Sequence, residues 1–183
     1  MGVTGAILCG GSSKRMGKPK AELLLPDGRS MIETVRDTLS KICDGVVLLG
    51  PSAGVSGHRV IEDNRHDAGP LAGIEALLAS GLDDRYLIVP CDQPRFNTTV
   101  ALRLLSQPDA LSTCFSGHPL PCVIDAKLHL DLVEAMDAGM RAVRDWHARV
   151  NSTMLEPTGC LYDDVDTPEE FEALCTLLRD NDT

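Results

Sequence analysis

The stretch Val3-Thr-Gly-Ala-Ile-Leu-Cys-Gly-Gly11 is a short apolar run that ends in two glycines. An apolar run of this length that enters a glycine turn is typical of a buried strand. Similar runs recur along the chain and alternate with segments of helical periodicity. This β-α-β-α order predicts an α/β fold of three α/β/α layers with a mostly parallel central sheet, and we expect one domain over residues 1–183.

The boundaries of the predicted helices come from capping signals. Ser30-Met-Ile-Glu33 and Thr167-Pro-Glu-Glu170 are capping boxes, and Pro70 suits the first turn of a helix. Helices are predicted over residues 30–43, 70–81, 100–105, 128–136 and 167–178. Strands are predicted over residues 3–8, 46–49, 58–61, 86–89, 111–115 and 121–124.

The composition argues against several classes of partner. The net charge of −10 and the aromatic content of 3% disfavour binding to nucleic acids and to anionic membranes. The amino terminus lacks the basic flank of a secretory signal and no apolar run reaches membrane-spanning length, so we expect a cytoplasmic protein. The seven cysteines include no C-x-x-C pair, which disfavours a zinc site and predicts reduced thiols.

A basic glycine loop, Leu8-Cys-Gly-Gly-Ser-Ser-Lys-Arg-Met-Gly-Lys-Pro-Lys20, follows the first predicted strand. Its glycines let the backbone approach an anionic ligand, and its cations can neutralise phosphate charge. It is not a Walker A loop, since Gly11 and Gly17 are too far apart and Pro19 replaces the residue that would hold magnesium. The loop predicts a polyphosphate site, the alternative being a solvated basic turn. Its cations are Lys14, Arg15, Lys18 and Lys20.

A second candidate site is the carboxylate in Tyr86-Leu-Ile-Val-Pro-Cys-Asp-Gln-Pro94. Asp92 follows a predicted buried strand, and ligands of open α/β sheets bind outside the carboxyl ends of the strands. Mg²⁺ is commonly held by one or two carboxylates together with substrate phosphates and water. Asp92 is therefore predicted to bind Mg²⁺, the alternative being a side chain that caps the following turn.

These segments resemble a known family. The pattern Leu-x-Gly-Gly-x-Ser-x-Arg-Met-Gly-x-x-Lys over Leu8–Lys20 is similar to the nucleotide-binding loop of nucleotidyltransferases that activate sugars and cofactors. Val60-Ile-Glu-Asp63 and Gly69-Pro-Leu-Ala-Gly-Ile74 resemble the molybdenum cofactor guanylyltransferases in particular. Asp164-Val-Asp-Thr-Pro-Glu-Glu170 is similar to that family's closing Asn-x-Asn-Thr-Pro-Glu-Glu, so the likeness spans nearly the whole chain.

The resemblance implies a nucleotide-diphospho-sugar transferase-like, Rossmann-like fold and a specific reaction. GMP would pass from GTP to the terminal phosphate of molybdopterin, with Mg²⁺ as cofactor and pyrophosphate as the second product. GTP and molybdopterin, or the molybdenum cofactor, are then the partners, with transient contact to proteins that supply the cofactor or receive it.

The resemblance also implies roles for individual residues. Arg15, Lys20 and Asp92 would be catalytic, and Asp92 and Asp166 would hold the metal. Asp63 would contact the nucleotide, since a carboxylate can accept hydrogen bonds from guanine or from ribose hydroxyls. The implied nucleotide-binding residues are Leu8, Cys9, Gly10, Gly11, Ser13, Lys20, Asp63, Gly69, Pro70, Leu71, Gly73 and Asp92.

The chain departs from the guanylyltransferase pattern at three positions. Asp164 and Asp166 replace asparagines, and Gln93 stands where guanylyltransferases often have Thr. Asp-Gln-Pro and Asp-Thr-Pro-Glu are also found in molybdopterin cytidylyltransferases, so CTP, or another small-molecule phosphate acceptor, remains an alternative. Three arginines near the expected acceptor side would either meet the acceptor phosphate or form a polar helix face: Arg141, Arg144 and Arg149.

Two features allow interpretations from other functional classes. Gly50-Pro-Ser-Ala-Gly54 fits the G-x-S-x-G of serine hydrolases, but Val55-Ser-Gly-His58 offers no helix directly after Ser52. The other alternative is a nucleotide-binding or adaptor protein without turnover, which release of pyrophosphate would exclude.

Overall fold

The computed structural model describes residues 2–9, 20–50, 58–66, 68–157 and 164–181. Seven strands lie in these residues: β1 (Val3–Leu8), β2 (Gly45–Leu49), β3 (Arg59–Ile61), β4 (Arg85–Pro90), β5 (Ser112–Phe115), β6 (His118–Asp125) and β7 (Thr153–Leu155). The same residues contain six α-helices: α1 (Met31–Leu39), α2 (Pro70–Ala79), α3 (Thr98–Leu105), α4 (His129–Asp137), α5 (Val143–Arg149) and α6 (Pro168–Asn181). None of these helices is long and apolar enough to cross a membrane.

The strands form one sheet in the order β3-β2-β1-β4-β6-β5-β7. β3, β2, β1 and β4 pair in parallel, and β5 pairs in parallel with β7. β6 is antiparallel to both of its neighbours, β4 and β5. The prediction of a mostly parallel α/β sheet is therefore confirmed. The edge at which β1 to β4 end is called the carboxyl edge below.

Alternate residues of β1 face two different apolar layers, which is what helices on both faces of a sheet require. Ala6 and Leu8 pack with the helices α2, α4 and α5, whereas Ile7 packs with α1 and α3. The helical side chains of the first layer include Leu71, Ile74, Leu77, Leu132 and Trp146. Those of the second layer include Ile32, Val35, Leu39, Val100 and Leu104.

Both predicted capping boxes are present. The Ser30 amide donates to Glu33 Oε2 at 2.7 Å, and the Glu33 amide donates to Ser30 Oγ at 3.4 Å. The Thr167 amide donates to Glu170 Oε2 at 2.9 Å, and the Glu170 amide donates back to Thr167 Oγ1 at 3.2 Å. The first residues of α1 and α6 were therefore readable from local chemistry.

Other boundaries differ from the predictions for long-range reasons. α1 ends at Leu39 rather than near Cys43, because the chain turns to enter β2 beside Val3. Asp44 holds this turn, since the Val3 amide donates to Asp44 Oδ2 and the Asp44 amide donates to the Val3 carbonyl, both at 2.9 Å. The seven-residue α5 and the three-residue β7 were not predicted, because helix packing on the sheet and pairing with β5 decide them.

A buried histidine joins α5 to the sheet and makes stability depend on pH. His147 is 1% exposed; its Nε2 lies 2.9 Å from the Pro119 carbonyl, and its Nδ1 lies near the hydroxyls of Ser112 and Ser152. Because a carbonyl only accepts, Nε2 carries the proton of a neutral ring. Burial lowers the pKa of His147, and the hydrogen bond to Pro119 opposes this only in part.

We expect the free energy of unfolding to fall as the pH drops below about 6.5, because the unfolded chain then gains a proton that folded His147 resists. In His147→Gln the free energy of unfolding should change less steeply with pH, by an amount equivalent to at most one bound proton. Urea titrations of both proteins between pH 5 and pH 8 measure it, with the same substitution at the partly exposed His58 as comparison. Equal slopes for wild type and His147→Gln would contradict the assignment.

Candidate active site

The carboxyl edge gathers residues that are far apart in sequence. Leu8 is in register with Leu49 and with Pro90, and Leu49 is in register with Ile61. Asp63 and Asp92 therefore follow strands that end at the same edge, as the rule for open sheets predicted.

Lys20 is held between two of the predicted site carboxylates. Its Nζ lies 3.2 Å from Asp92 Oδ2 and also forms a short ion pair with Asp166 Oδ1. Lys20 is the first residue of a single 3-10 turn, Lys20–Glu22, and its side chain contacts Asp92, which follows β4. Three of the residues predicted for catalysis or metal binding thus come together, although 146 positions separate Lys20 from Asp166.

The electrostatics of this cluster favour a bound cation. Burial raises the pKa of Asp92; the carboxylates of Asp164 and Asp166 add to the rise, and Lys20 opposes it. Burial alone would lower the pKa of Lys20, but hydrogen bonds to Asp166 and Asp92 raise it overall. Lys20 is therefore positively charged. Its carboxylate partners Asp92 and Asp166 together carry more negative charge than one ammonium neutralises.

The segment 164–166 reaches the site because it is bonded to the end of β4. The Val165 amide donates to the Asp92 carbonyl at 3.0 Å, and Val165 itself is buried with Leu25, Met31 and Leu174. The Asp166 amide donates to Glu170 Oε2 at 2.7 Å, so the capping box of α6 also holds Asp166. The position of Asp166 is thus determined by a helix start and by a small apolar cluster.

Asp63 lies beside the first turns of α2. A Cβ atom placed on Gly73 would lie 3.2 Å from Asp63 Oδ1 and 3.3 Å from Leu49 Cβ, so any larger residue would press on both side chains. Gly69 caps α2 with φ of 70° and ψ of −166°, a conformation that side chains disfavour. Burial raises the pKa of Asp63, and nearby His66 partly opposes it. Gly69 and Gly73 were both predicted here; the positive φ is the physical reason for Gly69, and the close side chains of Asp63 and Leu49 are the reason for Gly73.

Not every predicted nucleotide-binding residue exposes its side chain at this edge. Leu71 is completely buried in the core, so its side chain packs and does not face a ligand. Leu8 is nearly buried, Cys9 is half-buried, and Pro70 is exposed. Gly10, Gly11, Ser13 and Arg15, and the alternative nucleophile Ser52, lie outside the described residues.

Two of the three arginines considered for the acceptor phosphate already have protein partners. Arg141 donates to the carbonyls of Met136 and Met140 at the end of α4, at 2.9 and 2.7 Å. Arg149 lies 3.1 Å from Asp131 and 3.5 Å from Glu134. Arg144 is 82% exposed on α5, beside Asp145. Arg149 therefore fits the polar face of α5, whereas Arg141 lies between α4 and α5 and bonds carbonyls at the end of α4.

Sequence reasoning missed Arg65, which ties the Asp63 loop to two helices. Its guanidinium donates to both carboxylate oxygens of Glu75 on α2, at 2.6 and 3.1 Å, and to Asp137 at the end of α4 at 2.6 Å. These hydrogen bonds raise the pKa of Arg65. Glu75 is buried although it lies on an apolar helix face, and an acidic residue in such a face was the available signal.

We expect Glu75→Gln to lower the melting temperature by roughly 2–6 °C, because Arg65 then faces a buried neutral amide in place of a carboxylate. Thermal unfolding followed by circular dichroism measures the change. Glu134→Gln is the control, since Glu134 is 76% exposed and touches Arg149 only at 3.5 Å. An equal fall in melting temperature in both variants would show that the ion pair of Arg65 with Glu75 stabilises the fold no more than an exposed pair does.

The thiols near the site are protonated. Burial raises the pKa of both Cys9 and Cys91 to about 12. The six described cysteines are all free, in line with the predicted reduced thiols. Neither Cys9 nor Cys91 has the lowered pKa of a nucleophile.

Fold and site together define a class: an α/β protein that collects a cation and carboxylates at the carboxyl edge of a parallel sheet, where such proteins bind ligands. The chain belongs to the family described as the MobA-like NTP transferase domain, whose model matches residues 5–151. It is a nucleotidyltransferase, and the resemblance seen in the sequence is confirmed.

Named relatives agree with this family, and solved structures share the fold. A molybdenum cofactor guanylyltransferase of Ectopseudomonas mendocina is 28% identical over 91% of this chain and 89% of the relative. One from Xanthomonas euvesicatoria is 31% identical over 93% of each. Molybdopterin-guanine dinucleotide biosynthesis protein A of Archaeoglobus fulgidus superposes with a TM-score of 0.79 at 20% identity, covering 97% of this chain and 99% of that one. A Mycobacterium tuberculosis protein in complex with manganese gives 0.70 at 20% identity, covering 96% and 99%.

Proposed function

We propose that this protein transfers GMP from GTP to the terminal phosphate of molybdopterin in a Mg²⁺-dependent reaction that releases pyrophosphate. The observation that carries the proposal is the Lys20 ammonium held by Asp92 and Asp166 at the carboxyl edge. The names of the relatives support the choice of guanine and of molybdopterin.

The donor set suits Mg²⁺. Asp92 and Asp166 supply hard carboxylate oxygens. The Lys20 ammonium lies between them, which indicates that their surroundings favour positive charge. The described residues contain no group of three or more His, Cys, Asp or Glu side chains arranged to hold a metal. Two carboxylates completed by phosphates and water are a usual Mg²⁺ environment. When bound, Mg²⁺ would polarise the phosphate oxygens of the nucleotide.

The protein's part in the reaction is positioning and charge. The acceptor phosphate oxygen would attack the α-phosphorus of GTP, the bond to the β-phosphate oxygen would break, and pyrophosphate would leave. Phosphoryl-type transfer of this kind needs no protein nucleophile. Lys20 would neutralise charge on the phosphates, and Arg15, as the resemblance implies, would do the same.

Asp63 is the candidate for recognition of the nucleoside. Its carboxylate lies at the carboxyl edge against Gly73, and Arg65 fixes the loop that carries it. A carboxylate can accept from N1–H and from the exocyclic amine of guanine together, whereas cytosine lacks an N–H beside its amine. A contact of Asp63 with the base would thus favour GTP, whereas a contact with the ribose hydroxyls would serve GTP and CTP alike. The Asp-Gln-Pro segment is shared with cytidylyltransferases.

The deciding experiment is release of pyrophosphate with molybdopterin and Mg²⁺, using GTP or CTP. Turnover with GTP that Asp63→Asn reduces is expected. Turnover with CTP alone would favour the cytidylyltransferase alternative, and binding of nucleotide without turnover would favour an adaptor.

A further inference from the structure

Gln93 is a buried amide directly behind the predicted metal ligand. Its residue is 2% exposed, and its Nε2 donates to Asp164 Oδ1 at 2.7 Å and to the Leu120 carbonyl at 3.4 Å. Both partners are acceptors, so the amide can face them only through its NH₂ group. The orientation of Gln93 follows from the chemistry of its neighbours.

The carbonyl oxygen of the Gln93 amide accepts no hydrogen bond from the described residues. This atom, Oε1, is buried. Such an orphaned acceptor lowers stability, a cost that an apolar side chain of the same shape would avoid. The hydrogen bonds described for this amide are therefore all made by its donor end.

The donor end fixes where Asp164 lies. Val165 is buried in the apolar cluster, whereas Asp164 and Asp166 on either side of it are exposed. Asp166 meets Lys20, Asp164 meets Gln93, and Asp164 lies close enough to Asp92 to act on it electrostatically. Positions 93 and 164, two of the departures from the guanylyltransferase pattern, are thus one bonded pair.

We propose that Gln93 is a positioning residue that holds Asp164 beside Asp92, so that Asp164 adds its negative charge to the divalent-cation site. This inference rests on the metal site of the proposed function. The bond between Gln93 and Asp164 makes the two positions interdependent: removing the amide matters only while the carboxylate is present.

Binding of Mn²⁺ alone, measured by electron paramagnetic resonance, tests the pair without relying on turnover. Gln93→Met keeps the volume and removes the donor, and its dissociation constant for Mn²⁺ is expected to rise about tenfold. In an Asp164→Ala background the same substitution should change it less than about twofold. Gln107→Met, on the partly exposed turn after α3, is the matched control.

Asp164→Asn provides a second variant, since Asp164 is exposed and the change cannot unpack the core. It keeps an acceptor for Gln93 but loses the charge, so Mn²⁺ binding should weaken. Unchanged Mn²⁺ affinity in Gln93→Met or in Asp164→Asn, or an equal Gln93→Met effect in both backgrounds, would overturn the proposal. Loss of thermal stability without loss of Mn²⁺ affinity would assign Gln93 a structural role only. A wild type that binds no Mn²⁺ would overturn the metal site itself, and with it this inference.

Discussion

Replacing Asp92 by asparagine is expected to lower kcat on the order of 10³-fold, because the variant loses the carboxylate proposed to hold Mg²⁺. Asp92 is the most enclosed carboxylate of the site, with a side chain that is 21% exposed against 53% for Asp166. Its loss also removes one of the two carboxylate partners described for Lys20. Single-turnover rates with saturating GTP and Mg²⁺ measure the effect.

The same substitution should leave the fold intact. Burial raises the pKa of Asp92, so the folded protein takes up this proton more readily than the unfolded chain, and the ionised carboxylate lowers stability at pH 7. Asp92→Asn should therefore melt no earlier than wild type at pH 7, while Lys20 keeps Asp166. Asp109→Ala, at an exposed turn, controls for loss of an acidic residue elsewhere. An Asp92→Asn variant with full activity would refute the metal assignment.

Replacing Lys20 by methionine should have two opposite effects. We expect kcat/KM for GTP to fall roughly 10²–10³-fold, since a cation that neutralises the phosphates is lost. Mn²⁺ binding without nucleotide should tighten, because the ammonium that now pairs with Asp92 and Asp166 no longer competes for them. Calorimetry with GTP and electron paramagnetic resonance with Mn²⁺ measure the two effects separately.

Lys20→Arg is the informative comparison, since it keeps the charge but replaces a compact ammonium by a planar fork. We expect it to restore part of the GTP affinity. Weaker Mn²⁺ binding in Lys20→Met would show that Lys20 helps to assemble the carboxylates, contrary to competition. Unchanged GTP kinetics would remove Lys20 from the proposed mechanism.

Much of the fold was predictable because its signals are local. The strands of the parallel core are apolar runs, α1 and α2 lie between them along the chain, and both capping boxes form the hydrogen bonds that their spacing predicts. β7 escaped prediction because a three-residue edge strand has no pattern of its own and exists through pairing with β5. α5 escaped for a similar reason, since Trp146 is buried only when the helix lies on the sheet.

In the candidate site, the sequence identified individual residues, whereas their contacts with one another came from the structure. Asp92 and Lys20 could be selected from their own chemistry, because Asp92 follows a buried strand and Lys20 lies in a basic glycine loop. Asp63 and Asp166 were selected only through the family resemblance. That Asp166 would meet Lys20, or that Gln93 would bond Asp164, could not be worked out from spacing, because the segment 164–166 is placed by burial of Val165.

By itself the sequence determined the succession of strands and helices apart from α5 and β7, the starts of α1, α2 and α6, and the residues that follow β1 and β4, since these depend on neighbours within a few positions. The tertiary structure decided which charges meet: Lys20 with Asp92 and Asp166, Arg65 with Glu75 and Asp137, and Gln93 with Asp164. Those pairs depend on how strand ends and helices are brought together by packing on the sheet, and packing is a property of the whole core.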